Sequence, residues 1–142
     1  GFSQATIGLR VGDPIEQLAV AYTGIAFGVI GYEILEPQGL VANLTPARAL
    51  VPALILLITH GTVWELGFRG VMQRAAGGWG WVYIAILYAA FQAGELSVPY
   101  CFFILGVGTF WGWVVRQSGT IWGVALSHGL MSMLMFLPEV ME

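Results

Sequence analysis

Five long apolar segments separated by short turns make up most of this sequence, covering residues 14–34, 46–72, 80–94, 99–115 and 120–138. About 20 apolar residues are enough for a helix to span a bilayer. Only 9% of the 142 residues are charged, whereas about 25% are charged in a soluble domain. The sequence therefore predicts one all-α domain over residues 1–142, a polytopic membrane helical bundle of about five transmembrane helices. It leaves no room for a separate extramembrane domain.

The turns carry helix-start signals. Asp13 precedes Pro14, and Glu16 follows in the first turn, which is the pattern of an N-cap residue, a proline at the first helical position and an early acidic residue. Thr45 and Pro46 repeat the cap and the proline. We expect helices to begin at both places.

Two glycine pairs predict where helices pack closely. Gly24 and Gly28 stand four residues apart in the first segment, and Gly108 and Gly112 do so in the fourth. Small residues at this spacing allow the backbone of a neighbouring helix to approach.

The arginines indicate an orientation. Because successive spans alternate in direction, Arg10, Arg74 and Arg116 fall on one side of the membrane and Arg48 falls on the other. The positive-inside rule places the three-arginine side in the cytoplasm or its equivalent. We therefore expect the inner (cytoplasmic) membrane of a cell, or an equivalent energy-transducing membrane.

Tryptophans gather near that same side, which predicts either a one-sided aromatic belt or a face that contacts another protein. They are Trp79, Trp81, Trp111, Trp113 and Trp122.

The net charge and the cysteine content exclude some classes of partner and site. The net charge is −3 and lysine is absent, so the chain is a poor partner for nucleic acid. The lone Cys101 excludes a disulfide framework and a cysteine metal site. The sequence begins with Gly1, which leaves an upstream span open and prevents any judgement of a signal peptide.

Ionisable residues inside a membrane span are site candidates, because burying a charge in lipid is costly. Glu65 and Arg69 are four residues apart, the spacing of a helical ion pair, and act either as a structural brace or as part of a site. At 1.5 Å per residue, Glu65 lies about 13 Å from Arg74 along its helix, and His128 lies about 12 Å from Thr120. We expect Glu65 and His128 to meet at one depth.

Two further residues are harder to place. Glu95 lies about 24 Å along the helix axis from Trp79, so either its helix is tilted or starts late, or Glu95 sits at the far interface. His60 lies about 140° around an α-helix from Glu65, and we expect it to be a hydrogen-bonded packing residue.

Residues 64–73, WELGFRGVMQ, resemble the first signature of the CPBP family of intramembrane proteases. That family includes type II CAAX prenyl endopeptidases and bacteriocin-processing or immunity proteins. It carries E-E-x-x-x-R followed by G, then F-x-x-x-H on the next helix and H-x-x-x-N on a later one. The second motif falls here on residues 91–95 and the third on residues 128–132. The resemblance covers about 46–137.

The resemblance implies that the first Glu of the family activates water. It also implies that the histidines and the asparagine position the water or stabilise the oxyanion, with or without a metal. The positions of the first Glu, the first His and the Asn hold Trp64, Glu95 and Ser132 in this sequence. The residues that match the motifs are Glu65, Arg69 and His128. The four candidate site residues, Glu65, Arg69, Glu95 and His128, thus form a degenerate family site that is either catalytic or structural.

Three functions stay open. The first is a CPBP-fold protein without protease activity or cofactor, acting among membrane lipids as an accessory or structural subunit beside other membrane-protein subunits. The second is a divergent CAAX-type endopeptidase that uses Glu95 or Glu65 as base and His128 as a second catalytic or zinc-binding group. The third is binding of a lipid, quinone or pigment, with His60 or His128 as ligand.

Overall fold

The computed structural model describes residues 7–41 and 45–137, and this part of the chain forms five main helices. They are α1 (Pro14–Leu35), α2 (Pro46–Ala75), α3 (Gly80–Phe91), α4 (Val98–Ser118) and α5 (Trp122–Phe136). Short 3₁₀ turns precede and follow α3, at Gly77–Trp79 and Gln92–Glu95. The predicted all-α bundle is confirmed.

The helices differ in length. Over the described residues, α1, α2 and α4 have 22, 30 and 21 residues and are long and apolar enough to cross a membrane. The two shorter helices are α3, with 12 residues, and α5, with 15. At 1.5 Å per residue they extend about 18 and 22 Å, less than the roughly 30 Å of a hydrocarbon core. The 3₁₀ turns lengthen the helical path around α3, and Leu96 ends it with a left-handed φ of 54°.

Side chains cap the helices where the sequence predicts a start. Asp13 accepts hydrogen bonds from two backbone N–H groups in the first turn of α1, at 2.8 and 3.2 Å. Thr45 accepts one from the first turn of α2 at 3.4 Å, and Ser97 accepts one from α4 at 3.3 Å. Each cap satisfies N–H groups that have no partner within the helix.

The middle of α2 departs from a regular α-helix. Two π-helical stretches, Leu57–Val63 and Leu66–Met72, lie on either side of Trp64 and Glu65. The N–H of Trp64 bonds to the carbonyl of Thr59, five residues back. Such widened turns change which side chains share a face, and they are frequent at functional sites.

Close packing of α1 on α5 depends on its glycines. A Cβ at Gly24 would collide with the backbone of Ser127, and one at Gly28 would lie 2.7 Å from Cβ of Leu134. The close approach predicted for this pair is confirmed. The helices come close enough for the polar residues of α1 to contact those of α5.

One of the five tryptophans is not interfacial. Trp111 is fully buried in the bundle core, and its indole N–H donates to Oγ of Ser127 at 3.2 Å. The prediction that Trp111 belongs to an aromatic belt or to a face that contacts another protein is therefore wrong. Trp111 lies on the inward face of α4, beside Gly108 and Gly112. Trp79 is 79% exposed, as an interfacial residue would be.

Candidate functional site

Three of the sequence-predicted site residues converge in the interior of the bundle. Nη1 of Arg69 donates to Oε1 of Glu65 at 3.2 Å, and Nδ1 of His128 lies 2.7 Å from that same oxygen. The exposed fractions are 0% for Glu65 and Arg69 and 3% for His128. The expectation that Glu65 and His128 meet at one depth is therefore confirmed.

Tyr88 of α3 completes the hydrogen bonding of His128, since its hydroxyl lies 3.0 Å from Nε2. The carboxylate of Glu65 is an acceptor, so Nδ1 of His128 carries the proton and donates it. In the neutral form of the ring, Nε2 is the acceptor, and Tyr88 donates its O–H to it. Both ring nitrogens of His128 are thus engaged inside the protein.

The guanidinium of Arg69 reaches α4 and packs on an aromatic ring. Nη2 lies 3.4 Å from the carbonyl oxygen of Gly108, and Cζ lies 4.8 Å from the centroid of Tyr88. A Cβ at Gly108 would lie 3.4 Å from Nη2 of Arg69 and 3.3 Å from Cδ1 of Tyr88. A side chain at Gly108 would therefore touch both the guanidinium and the ring, and the ring face stabilises the buried cation.

A second set of hydrogen bonds ties α1 to the site. Oγ of Ser127 accepts from the indole N–H of Trp111 and lies 3.0 Å from Oγ1 of Thr23. The ring of Trp111 lies 4.8 Å from that of His128. Sequence reasoning missed Thr23, Tyr88 and Ser127, since no spacing marks them. Only the position of Ser127 next to His128 hinted at a role.

Glu95 does not join this site. It is exposed in the 3₁₀ turn after α3, whereas Glu65 is fully buried. Of the two expectations for Glu95, the structure agrees with a place at the far end of the helix. Glu95 therefore does not share the buried site of Glu65, which leaves Glu65 as the base available to the protease alternative.

The polar trio does not fit a zinc centre. Zinc in proteins takes at least three protein ligands, and the part of the chain described here holds no group of three or more His, Cys, Asp or Glu side chains that could bind a metal. Glu65 and His128 supply two groups, and both nitrogens of His128 are already bonded. The expectation of no cofactor stays a prediction.

His60 lies closer to the site than an α-helical count predicts. Its ring is 6.2 Å from that of His128, and it stacks on Trp64 at 6.1 Å with an interplanar angle of 1°. The π-helical hydrogen bonds link residues five apart, so His60 comes nearer to the face of Glu65. Nδ1 of His60 lies 3.1 Å from Oγ1 of Thr59, consistent with a hydrogen-bonded packing residue.

Trp64 on α2 and Ser132 on α5, which replace the family's first Glu and its Asn, lie in different environments. Trp64 stacks on Phe68 at 5.3 Å and contacts Tyr88 edge-on at 6.2 Å. Ser132 is buried, one turn after His128 on α5. At the position of the family's first Glu there is thus an indole ring, which cannot accept a proton from water.

Residues 46–134 match the family model described as Type II CAAX prenyl endopeptidase Rce1-like. The match covers more than half of the chain and contains the whole polar trio. The chain belongs to this family. Together with the long apolar helices, membership makes it an integral membrane protein of the CPBP type and confirms the resemblance seen in the motifs. No curated protein and no solved structure matches the chain significantly.

Within the family site, Glu65 is constrained by its partners. Oε1 receives hydrogen bonds from Arg69 and His128, while Oε2 is buried and has no partner among the described residues. The carboxylate is neutralised by a guanidinium and has no exposed surface. The arrangement suits a structural ion pair better than a base that must meet water.

Proposed function

We propose that this family member has lost endopeptidase activity and serves as an accessory or structural subunit of a larger membrane complex. The observation that carries the proposal is the closed trio of Glu65, Arg69 and His128, whose exposed fractions are 0%, 0% and 3%. Hydrolysis requires water and a peptide bond to reach the base. Here, both ring nitrogens of His128 and Oε1 of Glu65 already have hydrogen-bond partners within the protein.

The replaced motif positions support the loss of activity. Trp64 stands where the resemblance places the water-activating Glu, and losing a general base typically costs about two to four orders of magnitude in rate. Ser132 stands at the asparagine position, and losing an oxyanion donor costs roughly two to three orders. The remaining ion pair is the part of the motif that also stabilises the bundle.

Exposed aromatic side chains support the subunit role. Trp79, Trp113 and Trp122 are 79%, 47% and 38% exposed near the end of the bundle that carries Arg74. Tryptophan is enriched both in protein interfaces and at membrane surfaces. We place this end at the cytoplasmic face of an inner or equivalent energy-transducing membrane, where it is available to a partner subunit.

One observation favours a second candidate, the divergent protease. Oε2 of Glu65 has no partner among the described residues, and a carboxylate beside a histidine is a common general-base arrangement. In this candidate, a local opening would admit water to Oε2. The candidate needs that opening, whereas the subunit role does not.

A cleavage assay separates the two. The purified protein in liposomes is incubated with a prenylated CAAX peptide, beside an active type II CAAX endopeptidase as positive control. We expect no cleavage by the unmodified protein or by Trp64→Glu, because Ser132 and the exposed Glu95 still depart from the family pattern. Robust cleavage by the unmodified protein that disappears in His128→Ala would establish the protease instead.

Copurification tests the subunit role directly. The protein is isolated with a C-terminal tag from mildly solubilised native membranes, and its associated proteins are quantified. We expect a stable complex of fixed stoichiometry. Recovery of the protein alone, under conditions that preserve known complexes of the same membrane, would contradict this part of the proposal.

A further inference from the structure

A cavity of about 200 Å³ lies away from the polar trio, where the C-terminal ends of α2 and α4 meet. Its polar lining comes from Gln73, Arg74, Trp81 and Arg116, and Val115 adds an apolar wall. It lies at the end of two membrane-spanning helices, beside the tryptophans that remain exposed. This is the depth at which lipid headgroups lie.

Positive charge is concentrated around this cavity. Nη2 of Arg74 donates to the carbonyl of Gly119 at 3.1 Å, and Nη2 of Arg10 donates to the carbonyl of Ser118 at 3.0 Å. Arg116 lines the cavity from the last turn of α4. The ion pairs formed within the described ranges both involve Glu65, so no carboxylate there pairs with these arginines. The C-terminal dipole of α4 offsets only about half a charge.

Two residues that line the cavity each carry a buried N–H donor without an acceptor in the described part of the chain. The donors are Nε of Arg74 and Nε1 of Trp81. Oε1 of Gln73 is a buried acceptor without a donor, while its Nε2 donates to the carbonyl of Gly112 at 2.8 Å. Buried polar groups are rarely left unpaired, and a water molecule, an ion or a ligand group can satisfy such an exception.

We propose that this cavity binds the phosphate group of an anionic phospholipid. Arg74 and Arg116 supply the positive charge, the indole N–H of Trp81 donates a further hydrogen bond, and Gln73 accepts one from a headgroup hydroxyl. Basic pockets between transmembrane helices bind anionic headgroups through such groups. The site is independent of the proposed loss of protease activity, because it shares no side chain with the polar trio.

Lipid-dependent thermal unfolding in detergent tests the site. Phosphatidylglycerol raises Tm, and phosphatidylcholine at the same concentration does not, because only the first carries net negative charge. Arg116→Gln weakens the apparent phosphatidylglycerol affinity about fivefold, the contribution of one arginine near a membrane surface. Trp81→Phe keeps an aromatic ring and removes the N–H, so it also weakens binding. Arg48→Gln, which removes the same charge at the opposite end of α2, is the matched control and leaves the lipid response unchanged.

Inorganic phosphate distinguishes the source of the phosphate group. Inorganic phosphate would have to raise Tm as strongly as phosphatidylglycerol, with the same weakening of the response in Arg116→Gln, to overturn the assignment of a lipid. That result would identify the ligand as a soluble phosphate compound. Equal responses to the two lipids, or equal weakening by Arg116→Gln and Arg48→Gln, would overturn the site itself. Because Trp81→Phe does not alter charge, it tests the site even if Arg116→Gln fails to fold.

Discussion

Nδ1 of His128 donates to Oε1 of Glu65 at 2.7 Å, and this hydrogen bond joins α5 to α2 inside the bundle. The same oxygen accepts from Arg69 at 3.2 Å, so one carboxylate holds two helices and neutralises one cation. In a low-dielectric interior, losing one member of such a set leaves its partners uncompensated. The stability of the bundle should therefore depend on the set as a unit.

Removing one partner of the ion pair is expected to be worse than removing both. Glu65→Gln and Arg69→Met should each lower the free energy of unfolding by about 3–5 kcal/mol, because each leaves an uncompensated buried group. The double variant should recover part of the loss. Thermal unfolding and yield in one detergent measure all three.

Glu95→Gln is the matched control, since it makes the same chemical change at an exposed carboxylate. It should alter the free energy of unfolding by no more than about 0.5 kcal/mol. If Glu65→Gln and Arg69→Met both prove as stable as the parent, the pair is not a brace and is better regarded as a site that awaits a ligand.

Tyr88→Phe removes the hydroxyl that donates to His128 and keeps the ring that packs on Arg69. We expect a loss of about 1–3 kcal/mol, because Nε2 of His128 becomes a buried acceptor without a donor. Tyr83→Phe removes a hydroxyl from a tyrosine of the same helix that is 60% exposed and should have little effect. Equal unfolding temperatures for the two variants would argue against the assigned hydrogen bond.

Gly24→Ala tests the close contact of α1 with α5. The new methyl group would collide with the backbone of Ser127, and overpacking of this kind costs about 1–3 kcal/mol or more. Gly106→Ala is the control, because a Cβ there meets no atom within 4 Å. That change should be neutral or stabilise α4 by up to about 1 kcal/mol, the difference in helix propensity. If the Gly24→Ala variant is as stable as Gly106→Ala, α1 does not pack against α5 at Gly24 as described.

Trp64→Glu should destabilise the protein without creating activity. The substitution puts a carboxylate into the stack formed by His60, Trp64 and Phe68, and a charge within a membrane helix costs roughly 3 kcal/mol. Trp64→Phe retains an aromatic ring there and should be tolerated better. Unfolding temperature in detergent compares the two. Full stability of Trp64→Glu would indicate that this position faces a polar cavity.

Local rules predicted much of this fold. Asp13 and Thr45 marked the starts of α1 and α2 because a side-chain oxygen must satisfy the N–H groups of a first turn. The Glu65 and Arg69 spacing predicted their pairing, since residues four apart lie on one face. Constant rise per residue, together with the cost of placing charge in lipid, brought His128 to the depth of Glu65.

Other features came only from the tertiary structure. Nothing in the sequence distinguishes Tyr88 and Trp111 from the other aromatic residues. Only the packing of α3 and α4 brings them into contact with His128. The π-helical turns in α2 bring His60 closer to the site. Backbone hydrogen bonds between residues five apart have no sequence signal comparable to that of a helix cap. Glu95 lies where α3 has already ended, a boundary that apolar composition did not reveal.

The sequence by itself therefore determined the number of helices, the starts of α1 and α2, and the shared depth of Glu65 and His128. These properties depend on local backbone geometry and on transfer to lipid. The tertiary structure decided which helices are neighbours, that α5 is the helix packed against Gly24, and that both ring nitrogens of His128 would be engaged. Those outcomes depend on contacts between residues far apart in the chain, whose energies arise only once the helices have packed.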